Sequence, residues 1–248
     1  MLNSKTILIT GASSGIGRSC AHQLAKYASH LILISRSADK LKALQEELSH
    51  ITKVSIIVSS VCEESIEKKI SEVTSRVDIL INNAGLALGK DHVSTLKFED
   101  MNEMIQTNIF GNFNLSRIVL PMMLENKEGD IVNLCSIAGH YSYMGGAVYC
   151  ATKHAVRAFT RAMREETCGQ NIRVMEVSPG MVETNFSVTR FNGDKSLADA
   201  VYHNMTPLSP QDIAEIIEFM ITRPRHVVLD EIITTPMDQG STVTVFRK

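Results

Sequence analysis

The sequence predicts an α/β protein built on one doubly wound, parallel, seven-stranded sheet, and three observations lead there. Short apolar runs alternate along the whole chain with stretches of helical periodicity. Runs such as Leu31-Ile32-Leu33-Ile34 are apolar on both faces, as strands covered by helices on each side of a sheet must be. No internal repeat, low-complexity segment or linker divides the 248 residues, so residues 1–248 read as a single domain.

The strand-like runs are Thr6–Thr10, Leu31–Ser35, Val54–Val58, Ile79–Asn82, Ile131–Cys135, Arg173–Ser178 and Glu231–Thr235. Between them lie amphipathic stretches. In Asp39–Leu48 the residues Leu41, Leu44 and Leu48 fall on one helical face, with Ser37 placed to cap the start. The segment from Gly193 to Pro210 is the most irregular and reads as a flexible lid, within a wider substrate-covering region around 184–210.

Composition excludes several function classes. A hydrophobic content of 44%, a charged content of 21% and a formal charge of −2 give no electrostatic case for nucleic acid or an anionic membrane. No apolar run approaches the ~18 residues of a membrane span. The N-terminus runs directly into the first strand, leaving no room for a signal peptide. Five cysteines, odd in number and without CxxC spacing, read as reduced structural thiols and point to a cytoplasmic location.

The first strand leads into Thr10-Gly11-Ala12-Ser13-Ser14-Gly15-Ile16-Gly17 and then a helical pattern. Glycines there permit a tight turn and let backbone N–H groups approach a pyrophosphate at a helix N-terminus, which makes the sheet Rossmann-type. The spacing is GxxxGxG rather than GxGxxG. Alone, such a turn is also compatible with a flexible loop. The second strand ends at Ser35-Arg36, where an acidic residue would suit the ribose of NAD; arginine instead suits the 2′-phosphate of NADP, with Lys40 one turn further adding to the field. Arg36 is otherwise a solvated charge.

Tyr149 and Lys153 are four residues apart, hence on one face of a helix. An ammonium one turn away favours the phenolate and draws the phenol toward a useful acid–base range. Ser136 closes the fifth strand, where it is either a turn serine or a donor to a carbonyl oxygen. Asn108 lies inside a long helical stretch, as a tolerated surface position or as the site of a local kink. Asn82 and Asn83 can stitch adjacent strand ends. His140 and His154 lack ligand spacing to other His or Cys and are read as non-ligands, and no metal site is expected. No GxSxG surrounds Ser136, which argues against acyl transfer.

The set Thr10–Gly17, Asn82–Gly85, Asn108, Ser136, Tyr149-x-x-x-Lys153 and Pro179-Gly180 resembles the short-chain dehydrogenase/reductase superfamily over essentially the whole chain. The closer likeness is to NADP-dependent 3-hydroxy acid dehydrogenases acting on serine or allo-threonine. It is carried by Asn82–Gly89, Tyr143–Gly146, Thr189–Asp194 and Leu208–Ile213. The resemblance implies that Tyr149 is the general acid/base and that Lys153 lowers its pKa and holds the nicotinamide ribose. It implies that Ser136 orients the substrate oxygen and that Asn108 holds a water joining Lys153 to solvent. For NADP (NADPH) it implies contacts from Gly11, Ser13, Ser14, Gly15, Ile16, Gly17, Arg36, Ser60, Val61, Asn83, Pro179, Gly180, Val182 and Thr184, besides Tyr149 and Lys153. A homodimer or homotetramer assembled through the helices around Asn108 and Tyr149 is implied as well.

Two departures stand out. Ser60 occupies the position where the family usually has an aspartate for the adenine amino group, and Arg36-Ser37 stands where close relatives often carry two basic residues. For the substrate, a hydroxy acid needs a cation at its carboxylate. Arg190 is the candidate, or else a surface arginine paired with Asp194 or Asp199. Tyr143, Met144, Met181 and Phe186 would shape the pocket. The expected function is NADP-dependent hydride transfer at the 3-hydroxyl, or carbonyl, of a small hydroxy acid. The alternatives are reduction of less polar carbonyls and a non-catalytic NADP-binding scaffold.

Overall fold

A computed structural model describes residues 4–248. Its seven strands form one parallel sheet in the order β3-β2-β1-β4-β5-β6-β7. They are β1 (Lys5–Thr10), β2 (Ala28–Ser35), β3 (Lys53–Val58), β4 (Ile79–Asn82), β5 (Gly129–Leu134), β6 (Ile172–Pro179) and β7 (Glu231–Thr234). All seven expected strands are present. The largest departures are at β2 and β5, which begin before their apolar runs because Ala28 and Asp130 already pair with Lys5 and Arg173 on neighbouring strands.

Consecutive strand residues feed opposite cores, which explains why whole runs are apolar. Ile7, Ile9, Leu31, Leu33, Val132 and Leu134 join one cluster. It is closed by helices α1 (Gly15–Leu24), α2 (Ala38–Leu48) and α9 (Pro210–Thr222). Leu8, Ile32, Ile34, Leu80 and Ile131 join the other, under α3 (Ile66–Val73), α5 (Asn112–Asn126) and α6 (Ala147–Glu166). Each fully buried Leu or Ile contributes about 1.5–3 kcal/mol. Leu41, Leu44 and Leu48 are the buried residues of α2, as their spacing requires. Ser37 does stand at the N-cap of α2, but its side chain makes no capping hydrogen bond.

Helix α4 (Phe98–Ile105) runs into a π-helical turn over Gln106–Gly111 and then into α5. The segment from Gly193 to Pro210 is more regular than its sequence suggests. It follows α7 (Asn185–Arg190) and contains α8 (Lys195–Tyr202), which Asp194 caps by accepting from Leu197 N at 3.0 Å. Ser209 and Asp212 form a reciprocal capping box at the start of α9, with Pro210 in its first turn. The irregular composition here is cap chemistry. Among the described residues no helix is long and apolar enough to cross a membrane.

Cys20, fully buried in α1, has its thiol pushed by burial to about 12, against an ordinary value of 9.0. Unfolded chains release this proton between those values while the folded protein keeps it, so stability falls as pH rises through that window. Denaturation of the wild type and Cys20→Ala at about pH 8 and about pH 10.5 should show a steeper alkaline loss in the wild type, by up to ~1.4 kcal/mol per pH unit. Equal slopes would show that Cys20 carries none of it.

Candidate active site

The sheet order reverses between β1 and β4, and a cleft of about 530 Å³ opens beyond the carboxyl ends of the strands there. Gly11 and Gly15 hold φ of +64° and +52°, conformations that other residues adopt only with strain. At Gly17 a Cβ would run into the Gly11 carbonyl oxygen and the Asn83 amide. Asn83 Nδ2 donates to Thr10 O at 2.8 Å, and Thr10 Oγ1 accepts from Asn83 N at 3.0 Å and Ala84 N at 2.9 Å. The ends of β1 and β4 are thus stitched together behind the glycine turn. Ser14 stands at the N-cap of α1 without a side-chain cap, and no acidic residue lies in the first turn. The positive end of the helix therefore faces the cleft ready for an anion, and the missing Cβ atoms leave the close approach a pyrophosphate needs.

Beyond this turn, Ser13 Oγ accepts from Ser35 Oγ at 2.7 Å, and Arg36 and Lys40 line the cleft. The nearest partner of Arg36 is Glu103, 3.3 Å away and exposed, a weak tie that leaves the guanidinium available. Ser60 and Val61 also line the wall, with Ser60 Oγ accepting from Cys62 N at 3.3 Å. The donor set fits a dinucleotide carrying an additional phosphate near Arg36.

Helix α6 carries Tyr149 and Lys153 on its cleft-facing side. Lys153 is 6% exposed; its Nζ donates to Leu134 O at 2.8 Å and lies 5.9 Å from the centre of the Tyr149 ring. Burial pulls this ammonium below the ordinary lysine range, while Cys135 and Glu176 pull it back up. For Tyr149, burial is the largest influence and raises the phenol well above its usual value; Tyr143 adds to the rise and the Ser136 hydroxyl opposes it. The lowering expected from Lys153 does not figure among the influences on this phenol, which burial dominates. Ser136 Oγ accepts from Ala138 N at 3.1 Å and donates to Pro179 O over a long 3.4 Å, and the residue lines the same cleft.

Every residue singled out in the sequence for cofactor, substrate or catalysis lines this cleft except Gly17, Asn108 and Met144, which was expected to shape the pocket but is exposed outside it. Asn108 lies behind it, 1% exposed, in the π-helical turn. Its Oδ1 accepts from Leu86 N at 2.8 Å, and its Nδ2 donates to Leu86 O at 2.8 Å and Thr152 Oγ1 at 3.0 Å. The expected kink takes the form of this π turn, and the side chain ties the segment after β4 to α6 beside Lys153. Arg190 pairs with neither Asp194 nor Asp199. Its Nε donates to Gly89 O at 3.1 Å, and its guanidinium lies 5.6 Å from the Tyr143 ring centre and 6.0 Å from that of Tyr149. Phe186 meets Tyr149 edge-on at 5.6 Å.

Several residues of the cleft carried no sequence signal, three of them polar or charged side chains at its edges. Gln239 Oε1 accepts from Met181 N at 2.8 Å, Tyr202 donates to Val182 O at 2.8 Å, and Lys90 stands at the mouth. Tyr202 and Gln239 belong to no motif and reach the site through long excursions of the chain, whereas Lys90 directly follows the Asn82–Gly89 stretch. His140 has neighbours that its spacing to other His or Cys could not reveal. It is gathered with Glu176 and Glu231, whose side chains come from adjacent register positions on β6 and β7. Arg157 and Arg161, each 3.5 Å from Glu231, supply positive charge to that cluster. Burial raises the Glu231 carboxyl, but His140 and Arg157 outweigh it and leave it below its ordinary value. His154 Nδ1 lies 2.9 Å from the Cys150 carbonyl one turn back.

Comparison with known proteins adds the following. The model of the family described as short chain dehydrogenase matches residues 5–195. The chain is 47% identical to an NADP-dependent 3-hydroxy acid dehydrogenase of Schizosaccharomyces pombe, over 100% of this chain and 98% of that protein. It is 40% identical to sulfoacetaldehyde reductase 2 of Chromohalobacter salexigens, over 96% of each. Among solved structures it is similar to the closed form of a serine dehydrogenase complexed with NADP+, with a TM-score of 0.91 and 33% identity over 98% of this chain and 100% of that one.

The Asn108 clamp makes a prediction. Asn108→Ala leaves the buried Leu86 amide and carbonyl without partners, so denaturation should show a loss of about 2–4 kcal/mol. An unchanged midpoint would mean that the Leu86 segment finds other partners.

Proposed function

The chain belongs to the short chain dehydrogenase family, and we propose that within it the protein is an NADP-dependent dehydrogenase of small 3-hydroxy acids, working reversibly on the corresponding carbonyl compounds. The observation that carries this reading is the meeting of the Tyr149 phenol, the Ser136 hydroxyl and the Arg190 guanidinium in one cleft, with Arg190 in no ion pair among the described residues. The names of the Schizosaccharomyces and Chromohalobacter relatives both concern small substrates with an acid group, which an unpaired guanidinium suits.

NADPH, when bound along the glycine turn with its additional phosphate toward Arg36, supplies the hydride that reduces the carbonyl carbon. The protein does the rest. Arg190 holds the acid group and so fixes which carbon faces the nicotinamide end of the cleft. Ser136 donates a hydrogen bond to the carbonyl oxygen. Tyr149 gives that oxygen its phenolic proton, so the carbonyl becomes an alcohol and the phenol a phenolate. The phenol carries its proton before the step, as a phenol does at neutral pH and burial reinforces, and the Lys153 ammonium near it stabilises the phenolate left behind. In the oxidative direction the same phenolate accepts the hydroxyl proton. Asn108 positions Lys153 through Thr152 and the Leu86 backbone.

Three wider features belong to the same proposal. Helices α7 and α8, over residues 185–202, act as the lid, and Tyr202 fastens them to the Val182 carbonyl. The exposed apolar residues Ile105 and Phe110, on the helical segment that carries Asn108, favour assembly as a homodimer or homotetramer through that face. The cytoplasm is the compartment that keeps five unpaired thiols reduced.

The test is reduced-nicotinamide absorbance with 3-hydroxypropionate, 3-hydroxyisobutyrate, serine and allo-threonine, each offered with NADP and then NAD. Turnover of hydroxy acid with NADP is expected, and Arg190→Ala should raise KM for the acids by about tenfold or more. Acids handled equally well by Arg190→Ala would remove the carboxylate role. Silence on every acid with activity on neutral carbonyls would favour the less polar substrate class.

A further inference from the structure

Two phenols stand near Arg190 in the cleft, and the proton transfer uses only one of them. Tyr149 gives and takes the proton; Tyr143 lines the same cleft and has no part in that step. We propose that Tyr143 is a substrate-binding residue whose hydroxyl donates a hydrogen bond to the acid group that Arg190 attracts. Guanidinium and phenol then form one site, sharing the oxygens of a single anion. This deepens the hydroxy-acid reading above and rests on it.

The backbone is shaped to hold the Tyr143 ring in place. Gly146 N donates to Tyr143 O at 3.1 Å, closing a turn whose third residue, Gly145, has a φ of +76°. At Gly146, the N-cap of α6, a Cβ would run into the Tyr143 ring. The ring is thus packed against the start of the helix that carries Tyr149. Arg190 Cζ stands 5.6 Å from the Tyr143 ring centre and 6.0 Å from that of Tyr149. One guanidinium therefore serves both rings, and an acid group held by it lies near the reacting phenol, as a short hydroxy acid requires.

The Tyr143 hydroxyl has a donor beside it and no acceptor. Burial raises this phenol, and Arg190 opposes the rise by its charge and by hydrogen bonding to the oxygen. A guanidinium only donates, so the phenol's own hydrogen is left without a protein acceptor among the described residues. Buried phenols ordinarily find one. Arg190 is in the matching state. Its Nε is committed to Gly89 O at 3.1 Å, and it pairs with no carboxylate, although Asp91 borders the small neighbouring cavity that Arg190 and Tyr149 also line. A carboxylate offers about four acceptor sites on its two oxygens, room for guanidinium N–H groups and a phenolic O–H together. The charge of Arg190 attracts an anion; a directed O–H fixes which way that anion turns. Because burial keeps the phenol protonated, Tyr143 meets the acid group as a donor.

The experiment measures kcat and KM with NADP for 3-hydroxypropionate and L-serine, in the wild type and in Tyr143→Phe, with NADP affinity measured on the same proteins. Phenylalanine keeps the ring against Gly146 and removes only the hydroxyl. For whichever acid is turned over, KM should rise by about tenfold while kcat and NADP affinity stay within about threefold of the wild type. KM does not depend on how much of a preparation is folded, so a partly unfolded variant still reports on the proposal. A KM within about twofold of the wild type, a fall in kcat with KM unmoved, or a KM rise matched by an equal loss of NADP affinity overturns it. Turnover of neither acid by the wild type overturns the hydroxy-acid reading itself, whereas acid turnover with an unmoved KM overturns the role of Tyr143 alone.

Discussion

The interaction on which the site depends is the burial of the Lys153 ammonium against the Leu134 carbonyl at the end of β5. Removing an ammonium from water costs several kcal/mol unless it is paired or hydrogen-bonded, so the surrounding chain has to hold both the donor and its acceptor in place. The neighbouring structure does this. Cys135 Sγ meets the Lys153 carbonyl oxygen at 3.3 Å, and Gly139 lies so near that same carbonyl that a Cβ would be 3.1 Å from it. Asn108 binds Thr152, the residue before Lys153, to the Leu86 backbone, and the π turn is the distortion that brings Asn108 there. Tyr149 inherits its position from this arrangement, one turn back on the same helix.

Charge is distributed along the strands in one direction. At the amino ends, the buried carboxylates Asp78 and Asp130 are met by guanidinium groups. Arg76 reaches Asp78 at 2.6 Å, and Arg173 and Arg225 reach Asp130 at 2.7 and 2.5 Å. At the carboxyl ends the order is inverted: the cleft carries cations and no carboxylate. The structural carboxylates are thus neutralised at the amino ends, and the cleft at the carboxyl ends keeps a positive field. A dinucleotide phosphate and a substrate acid group both ask for a field of this sign.

The fold was legible because residues such as Ile7, Leu8 and Ile9 must each enter a hydrophobic core, and alternate ones enter different cores. No other element type buries three successive apolar residues so economically. The glycine turn and the pair Tyr149 and Lys153 were legible because their chemistry depends on spacing within one strand–turn–helix or one helix. The lid region was misjudged as irregular, since Asn192, Gly193, Asp194, Ser209 and Pro210 serve as helix boundaries and resemble loop composition when read alone. Tyr202 and Gln239 could not be found, for they belong to no motif and meet the cleft only when the segments that carry them fold back over it. The lowering of the Tyr149 pKa was expected from one neighbour, whereas burial, a property of the whole fold, dominates it.

The most direct test of the proton-donor role is single-turnover reduction by Tyr149→Phe, with NADPH affinity and thermal stability measured on the same protein. The account predicts a loss of about 10³-fold in the chemical step, with NADPH bound within a few-fold of the wild type, because only the transferable proton is removed. A variant that binds NADPH normally and keeps more than about a tenth of the rate would contradict it, since another group would then be supplying the proton.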